Sequence, residues 1–362
     1  MLDTESHSTV ENPCPACLGL DSVPPAVYNV SEKVDLLFTF VSPPMDDERL
    51  AEIASWYYEE GLDQAAIARR LGCSRSMVSR YLKEARARGL VEIRVRHPLK
   101  TDPLLAKSLQ DVFPLREALV LADPPSDPRL LLRRLGELGA RALQQRLRPG
   151  IRIGVSWGTA VYEVVRAMPE FPVARAQVVQ IIGALGTGDP MIDGPELARW
   201  LAEKLNAPVR HLHAPLLVES EAVARALRNE RTIAETLALA CKVHVALIGI
   251  GSVDPRLSSL RRAGYLTESE LEALRAAGAV GDVLARALDA EGNLLDHPLN
   301  RRVVGLELEA LRRIPTVIAV AGGVAKAPAI RAALRGGYVD VLVTDAEAAA
   351  AVLTLEGAMV YA

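Results

Sequence analysis

Aromatic residues make up only 4% of this 362-residue chain, so its core has to be built from aliphatic side chains. Cysteine is equally scarce, and four in a chain of this size exclude a disulfide framework. No apolar run reaches the length of a membrane span. The N-terminus has neither the basic start nor the apolar stretch of a signal peptide, so a cytoplasmic location is expected.

What is present is a globular composition, half hydrophobic and about a quarter charged, at a length that accommodates two domains. A net charge of −3 conceals an asymmetry. Arg69, Arg70, Arg75, Arg80, Lys83, Arg86, Arg88, Arg94, Arg96 and Lys100 follow one another with only Glu84 and Glu92 in opposition. Such a block inside a mildly acidic chain points to a polyanionic partner for that block alone.

Residues 1–45 are rich in proline and show no sustained period, the pattern of a poorly ordered tail. "LLFTFV" could add a short β-like segment there, or the tail could be an upstream extension with Met45 the more natural start. Cys14 and Cys17 have zinc-ligand spacing, but no second pair follows and His7 is the only nearby third candidate. A structural zinc wants four ligands, so neither a metal nor any cofactor is expected.

Residues 46–98 read as a winged helix-turn-helix domain. "DDERLAEIASWYYEEG" is amphipathic after an acidic first turn and stops at Gly61. "LDQAAIARRLG" predicts a second short helix closed by Gly72, and "SRSMVSRYLKEARARG" a third with Ser74 as N-cap and Gly89 beyond its end. Ala65, Ile67, Ala68 and Leu71 should pack against Val78, Tyr81 and Leu82. The opposite face of the third helix carries Arg75, Ser76, Ser79, Arg80 and Lys83. Arginine can bond a guanine edge through two hydrogens, and small hydroxyls can approach phosphates or bases. Ser74 and Gln64 lie at the two helix starts, suited to the DNA backbone, and "VEIRVR" would be the wing.

From residue 99 to 362, short β-branched runs alternate with amphipathic helices, which predicts a doubly wound, Rossmann-like α/β domain with a parallel sheet. The expected strands are 117–122, 151–156, 177–183, 208–214, 243–251, 316–323 and 339–345. Ligands of such sheets bind where strands end and loops enter helices.

One such loop is ambiguous. "GVSWG" at 154–158 fits the G-x-S-x-G turn of a serine hydrolase. A hydrolase also needs a histidine in a late loop, whereas His211, His213, His244 and His297 fall in or beside earlier elements and read as structural. Only one convincing strand precedes the turn within the domain, where a hydrolase sheet would have several. The alternative is an anion cradle, in which Ser156, Trp157, Gly158 and Thr159 lead into a helix whose first N–H groups face a ligand. Lys326 opens a helix after Gly322-Gly323, against the helix dipole, as if held there by an anion. Asp282 follows two glycines as an exposed carboxylate suited to sugar hydroxyls, and Gly251 ends another strand. Together these loops suggest one crevice of phosphosugar size.

The strings "QAAIARRLGCSRSMVSRYLKEARARGLVEIRV", "GVSWGTA", "AGAVGD" and "AVAGGVAKAPAIRAALRGGYVDVLVTD" resemble the SorC/DeoR family of bacterial sugar-binding transcriptional regulators over about residues 48–355. That resemblance implies a winged helix-turn-helix that binds double-stranded operator DNA and an effector domain related to sugar-phosphate isomerases. It also implies a phosphorylated sugar or similar effector, paired operator sites and a homo-tetramer. By motif it places Ser156, Trp157, Gly158 and Thr159 at the phosphate, with Asp282 and Lys326 as further contacts. Two departures stand out. Ala160 replaces a threonine common in relatives, and "IIGALGTGDPMIDG" lacks an arginine that some carry. A phosphosugar isomerase with an appended DNA-binding domain is the competing function, with Asp282 as base and Lys326 steadying an enolate.

Overall fold

The computed structural model describes residues 45–92, 99–186 and 192–358. The proline-rich tail with Cys14 and Cys17, and the expected wing at 93–98, lie outside the described residues. The chain divides into two compact units, 1–96 and 97–362.

The first unit holds three helices, α1 (Asp47–Tyr58), α2 (Gln64–Leu71) and α3 (Arg75–Ala87). Each starts on a side-chain cap: Asp46, Asp63 and Ser74 accept the N–H of Arg49, Ala66 and Met77. Gly72, at φ +64°, ends α2 in the left-handed conformation that lets α3 leave at once. Leu50, Ile53, Ile67, Ala68, Val78 and Leu82 form the buried centre, while Ala65, Leu71 and Tyr81 stay partly open at its margin.

The second unit is built on seven parallel strands. In chain order they run through α4 (Pro103–Val112), β1 (Glu117–Leu121), α5 (Pro128–Gln144), β2 (Arg152–Val155), α6 (Thr159–Ala167), β3 (Gln177–Gln180), α7 (Gly194–Leu205) and β4 (Val209–Arg210). Then follow α8 (Glu221–Asn229), α9 (Arg231–Ala240), β5 (Val245–Ser252), α10 (Ser259–Arg262) and α11 (Glu268–Ala276). A hairpin of β6 (Gly281–Val283) and β7 (Arg286–Leu288) precedes α12 (Pro298–Arg302) and α13 (Leu308–Leu311). The chain closes with β8 (Thr316–Val320), α14 (Ala327–Arg335), β9 (Val341–Asp345) and α15 (Ala346–Leu355).

Across the sheet the order is β1-β9-β8-β5-β2-β3-β4. Alternation along each strand sends its side chains to two separate cores. On β5, Val245 and Leu247 join the layer of α5, α6 and α7, while Ala246, Ile248 and Ile250 face α14 and α15. Burial on both faces explains the unbroken apolar runs in the sequence.

Two expectations need correction. The strand expected at 208–214 is paired only over Val209–Arg210, because the chain there turns away to bridge Ala184 through Pro215. Asp282, expected in an exposed loop, lies on the antiparallel strand β6, which pairs with the far end of β5. Three-residue strands carry too little periodicity to be read from sequence.

Helix α5 crosses α6 at Gly136, where an added Cβ would fall 2.6 Å and 2.7 Å from the backbone carbon and oxygen of Glu163. Backbone cannot swing aside as a side chain can. Gly136→Ala should therefore destabilise the unit by about 1–3 kcal/mol despite its better helix propensity. Urea unfolding followed by circular dichroism checks this, and an unchanged midpoint would contradict so tight a crossing.

Candidate functional site

Strands β3 and β4 are reached from β2 on one side, whereas β5, β8 and β9 build outward on the other. The carboxyl ends of the adjacent β2 and β5 therefore feed chains to opposite sides and leave a crevice between them. That crevice is lined by Ser156, Trp157, Gly158, Thr159, Gly251, Asp282 and Lys326, all seven residues expected from sequence to meet an effector. Counted to its open mouth, the space is about 440 Å³.

Its floor is the turn from β2 into α6. Gly158, at φ +109°, stands at the N-cap position without a side-chain cap, so the first N–H groups of α6 are left for a ligand or water. The N–H groups of Ser156 and Gly158 are already committed, to the carbonyls of Leu247 (3.1 Å) and Ile192 (2.9 Å). Those two bonds fix the turn, while the hydroxyls of Ser156 and Thr159 have no protein partner among the described residues. Ala160, at the second helical position, presents only a methyl group to the space.

The hydrolase reading of Ser156 fails on position. His244 accepts the backbone N–H of Arg152 on Nδ1 at 2.9 Å, and His297 caps α12 by accepting from Leu299 at 3.2 Å. His211 and His213 stand with their rings 6.1 Å apart beyond β4. Among the described residues, no histidine lines the crevice.

The wall opposite α6 carries two opposite charges, a buried Asp282 and a half-buried Lys326. Asp282 is directly across from Gly251 in the ladder, and a Cβ on Gly251 would come within 1.8 Å of its carboxylate. Only glycine leaves that notch. Instead of being exposed, Asp282 is 9% accessible, and burial pushes its carboxyl up to about 6. The Lys326 charge and the Ala285 N–H offset part of that rise. Lys326 sits in a short 3₁₀ turn before α14, and burial lowers its ammonium to about 8, against the pull of Asp282. The ammonium donates to the Ile250 carbonyl at 2.8 Å. The lysine at this helix start is thus fixed by a backbone carbonyl, with the Asp282 charge near enough to favour its protonated form.

Sequence reasoning missed three parts of the site. Leu284 and Ala285 also line it, as the two-residue turn between β6 and β7, with φ of +51° and +58°. Left-handed backbone costs about 1–2 kcal/mol for each such residue, and turns of this shape usually carry Asn-Gly. Ser259 is the third, and its hydroxyl accepts a bond from Arg262 at 3.0 Å. The Arg262 charge reaches the Lys326 ammonium, and Arg262 has no carboxylate partner among the described residues. The spacing "SSLRR" beside a glycine-rich strand end was the available signal.

In the first unit, Ser74, Arg75, Ser76, Arg80 and Lys83 are exposed, while Gln64 and Ser79 are partly buried. The Ser74 hydroxyl accepts from the Met77 N–H at 3.3 Å and meets Ser76 Oγ at 2.8 Å. Arg88 is tied to Asp47 at 2.7 Å, whereas Arg75, Arg80 and Lys83 have no ion-pair partner among the described residues. The basic helix face therefore keeps its charge uncompensated.

Comparison with known proteins gives a consistent picture. A family model described as a sugar-binding domain, Sugar-bind, matches residues 97–354. The deoxyribonucleoside regulator of Bacillus subtilis is 33% identical over 302 residues, covering 83% of this chain and 96% of that protein. The transcriptional regulator LsrR of Klebsiella pneumoniae is 33% identical over 314 residues, 86% and 94% of the two chains. The crystal structure of the full-length sorbitol operon regulator SorC from Klebsiella pneumoniae matches with a TM-score of 0.64 at 30% identity, over 85% of this chain and 99% of that one.

The charge pair makes stability depend on pH. Asp282 has a folded value raised from 3.8 to about 6, so the protonated form favours the folded state. The stability it contributes is complete below its unfolded value and is lost as pH rises through the folded one. Relative to Asp282→Asn, the wild type should lose stability between about pH 4 and 6 and then hold a constant difference up to about pH 8. Denaturant titrations of both proteins across that range measure this, and parallel curves would show that Asp282 is not buried as a charge.

Proposed function

The chain belongs to the SorC/DeoR family of sugar-binding transcriptional regulators, and on that premise we propose that a small phosphorylated sugar, bound in the crevice between β2 and β5, controls its affinity for operator DNA. It is a transcriptional regulator and not an enzyme, as its full-length relatives are. The observation that carries the effector reading is the convergence of four separate chain segments, after β2, along β5, on β6 and before α14, on one crevice.

The phosphoryl group belongs at the start of α6, against the free N–H groups and the hydroxyls of Ser156 and Thr159. Lys326, with Arg262 at its flank, adds cationic charge on the opposite side. Asp282, an acceptor when ionised, takes a sugar hydroxyl. Ala160 supplies no hydroxyl, so the cradle has one donor fewer than a threonine there would give. The phosphoryl preference, rather than a neutral sugar, follows from this excess of donors.

Residues 46–98 form the DNA-binding domain, a winged helix-turn-helix with α3 as its recognition helix. Arg75, Ser76, Ser79, Arg80 and Lys83 face the groove, and Gln64 and Ser74 meet the backbone. The uncompensated charge of Arg75, Arg80 and Lys83 supports this. Residues 99–362 bind the effector and join the subunits, in a cytoplasmic homo-tetramer that spans paired operator sites. Coupling is by linkage. An effector that prefers one arrangement of the assembly shifts the DNA affinity by its differential affinity for the two states.

Fluorescence anisotropy on a labelled promoter fragment tests both halves. Arg80→Ala and Lys83→Ala should each weaken DNA binding, with the salt slope shallower by about one where a phosphate contact is lost. Lys326→Ala should leave DNA binding intact and abolish the response to sugar phosphates. Unchanged affinity in the first two variants would displace α3 from the groove, and a normal response in the third would remove Lys326 from the effector.

A further inference from the structure

We propose that Arg286 is a positioning residue for the effector: anchored on Glu307, its guanidinium grips the Leu284 carbonyl and holds the left-handed turn that aims the Asp282 carboxylate into the crevice. This rests on the effector reading above.

Arg286 is the first residue of β7, immediately after the turn, and its side chain is 1% exposed. A buried guanidinium is a costly way to fill space, since an aliphatic side chain of similar volume would pack there without desolvating a charge. What arginine adds is a planar fork that reaches several acceptors at once. Here Nη2 pairs with the Glu307 carboxylate at 3.0 Å. The contacts to the carbonyls of Leu284 (3.4 Å) and Gly305 (3.5 Å) are longer, so the ion pair is the anchor and the carbonyls are what it steadies. Nε has no partner among the described residues, which leaves the group dependent on Glu307.

The anchor is itself fixed. Leu306 donates to the Ile181 carbonyl at 2.8 Å and Gly183 to the Val304 carbonyl at 2.9 Å, tying the segment around Gly305 to the end of β3. Glu307 also meets Arg228 of α8 at 3.5 Å, and Arg228 donates to the Val303 carbonyl at 2.7 Å. The Leu284–Ala285 turn has no glycine or asparagine to favour its backbone, so something outside it must hold it. Asp282 stands on β6 only two residues before Leu284, and the Ala285 N–H of the turn lies close enough to favour its ionised form. Contact runs from the β3 end through Gly305 and Arg286 to Leu284, and the hairpin backbone carries it the two residues back to Asp282.

The test compares the wild type with Arg286→Met/Glu307→Gln, which removes both charges, and Arg286→Lys, which keeps the charge but not the fork. Melting temperatures identify the variants that remain folded, and Arg286→Lys carries the test if the double variant is not. The Asp282 carboxyl is followed by NMR titration in ligand-free protein. Binding is measured with inorganic phosphate and with ribose 5-phosphate, fructose 6-phosphate and glucitol 6-phosphate. We expect the Asp282 titration to move above its wild-type position in both arginine variants. Sugar-phosphate affinity should fall about tenfold, the scale of one lost hydrogen bond to a charged group, while inorganic phosphate binds as before. An Asp282 titration identical to wild type would overturn the proposal, leaving Arg286 as packing alone. If no sugar phosphate binds the wild type, the effector reading has failed, and the Asp282 titration still decides the role of Arg286.

Discussion

The larger unit depends on a gap between two neighbouring parallel strands. From β2 the chain goes on to β3 and β4, and from β5 it goes on to β8 and β9, which leaves a crevice where β2 and β5 end side by side. A parallel sheet aligns its helix starts at that edge, which collects unsatisfied N–H groups there. The protein completes the other wall with Asp282 and Lys326, two charges that burial pushes toward neutrality and that each other's presence restores. A site with donors on one wall and two opposite charges drawn out of water on the other is costly when empty. It favours a ligand that brings both an anion and hydroxyls.

The same arrangement separates binding from chemistry. An isomerase needs a carboxylate that can leave its partner to take a proton from carbon. The Ala285 N–H and the Lys326 charge favour the ionised form of Asp282, the Lys326 ammonium is bonded to the Ile250 carbonyl, and the relatives over the full length are regulators. Charges held in this way recognise a ligand. The coupling to DNA proposed above then requires only that the ligand prefer one of two states of the protein.

Much of the fold could be read from sequence because local signals agreed. Ser74 caps the helix it was expected to cap, and six of the seven expected strands appear at or near their places, with only the one at 208–214 reduced to two residues. The turn at Ser156–Thr159 was legible because Gly158 needs a positive φ there. The burial of Asp282 was not legible, since it arises from pairing with Gly251, thirty-one positions earlier, and nothing in "AGAVGD" records its partner. Leu284 and Ala285 carry none of the residues that mark a left-handed turn, so the hairpin stayed hidden. Arg286 looks like a surface arginine in sequence and becomes a core residue only when Glu307 closes over it.

The central claim is that one ligand site and one DNA site share a single equilibrium. Linkage makes the coupling reciprocal, so the most direct measurement is effector affinity on free protein and on protein saturated with operator, by isothermal titration calorimetry. The account predicts that the two affinities differ by the same factor by which the effector changes operator affinity. Equal effector affinity for free and DNA-bound protein would contradict it.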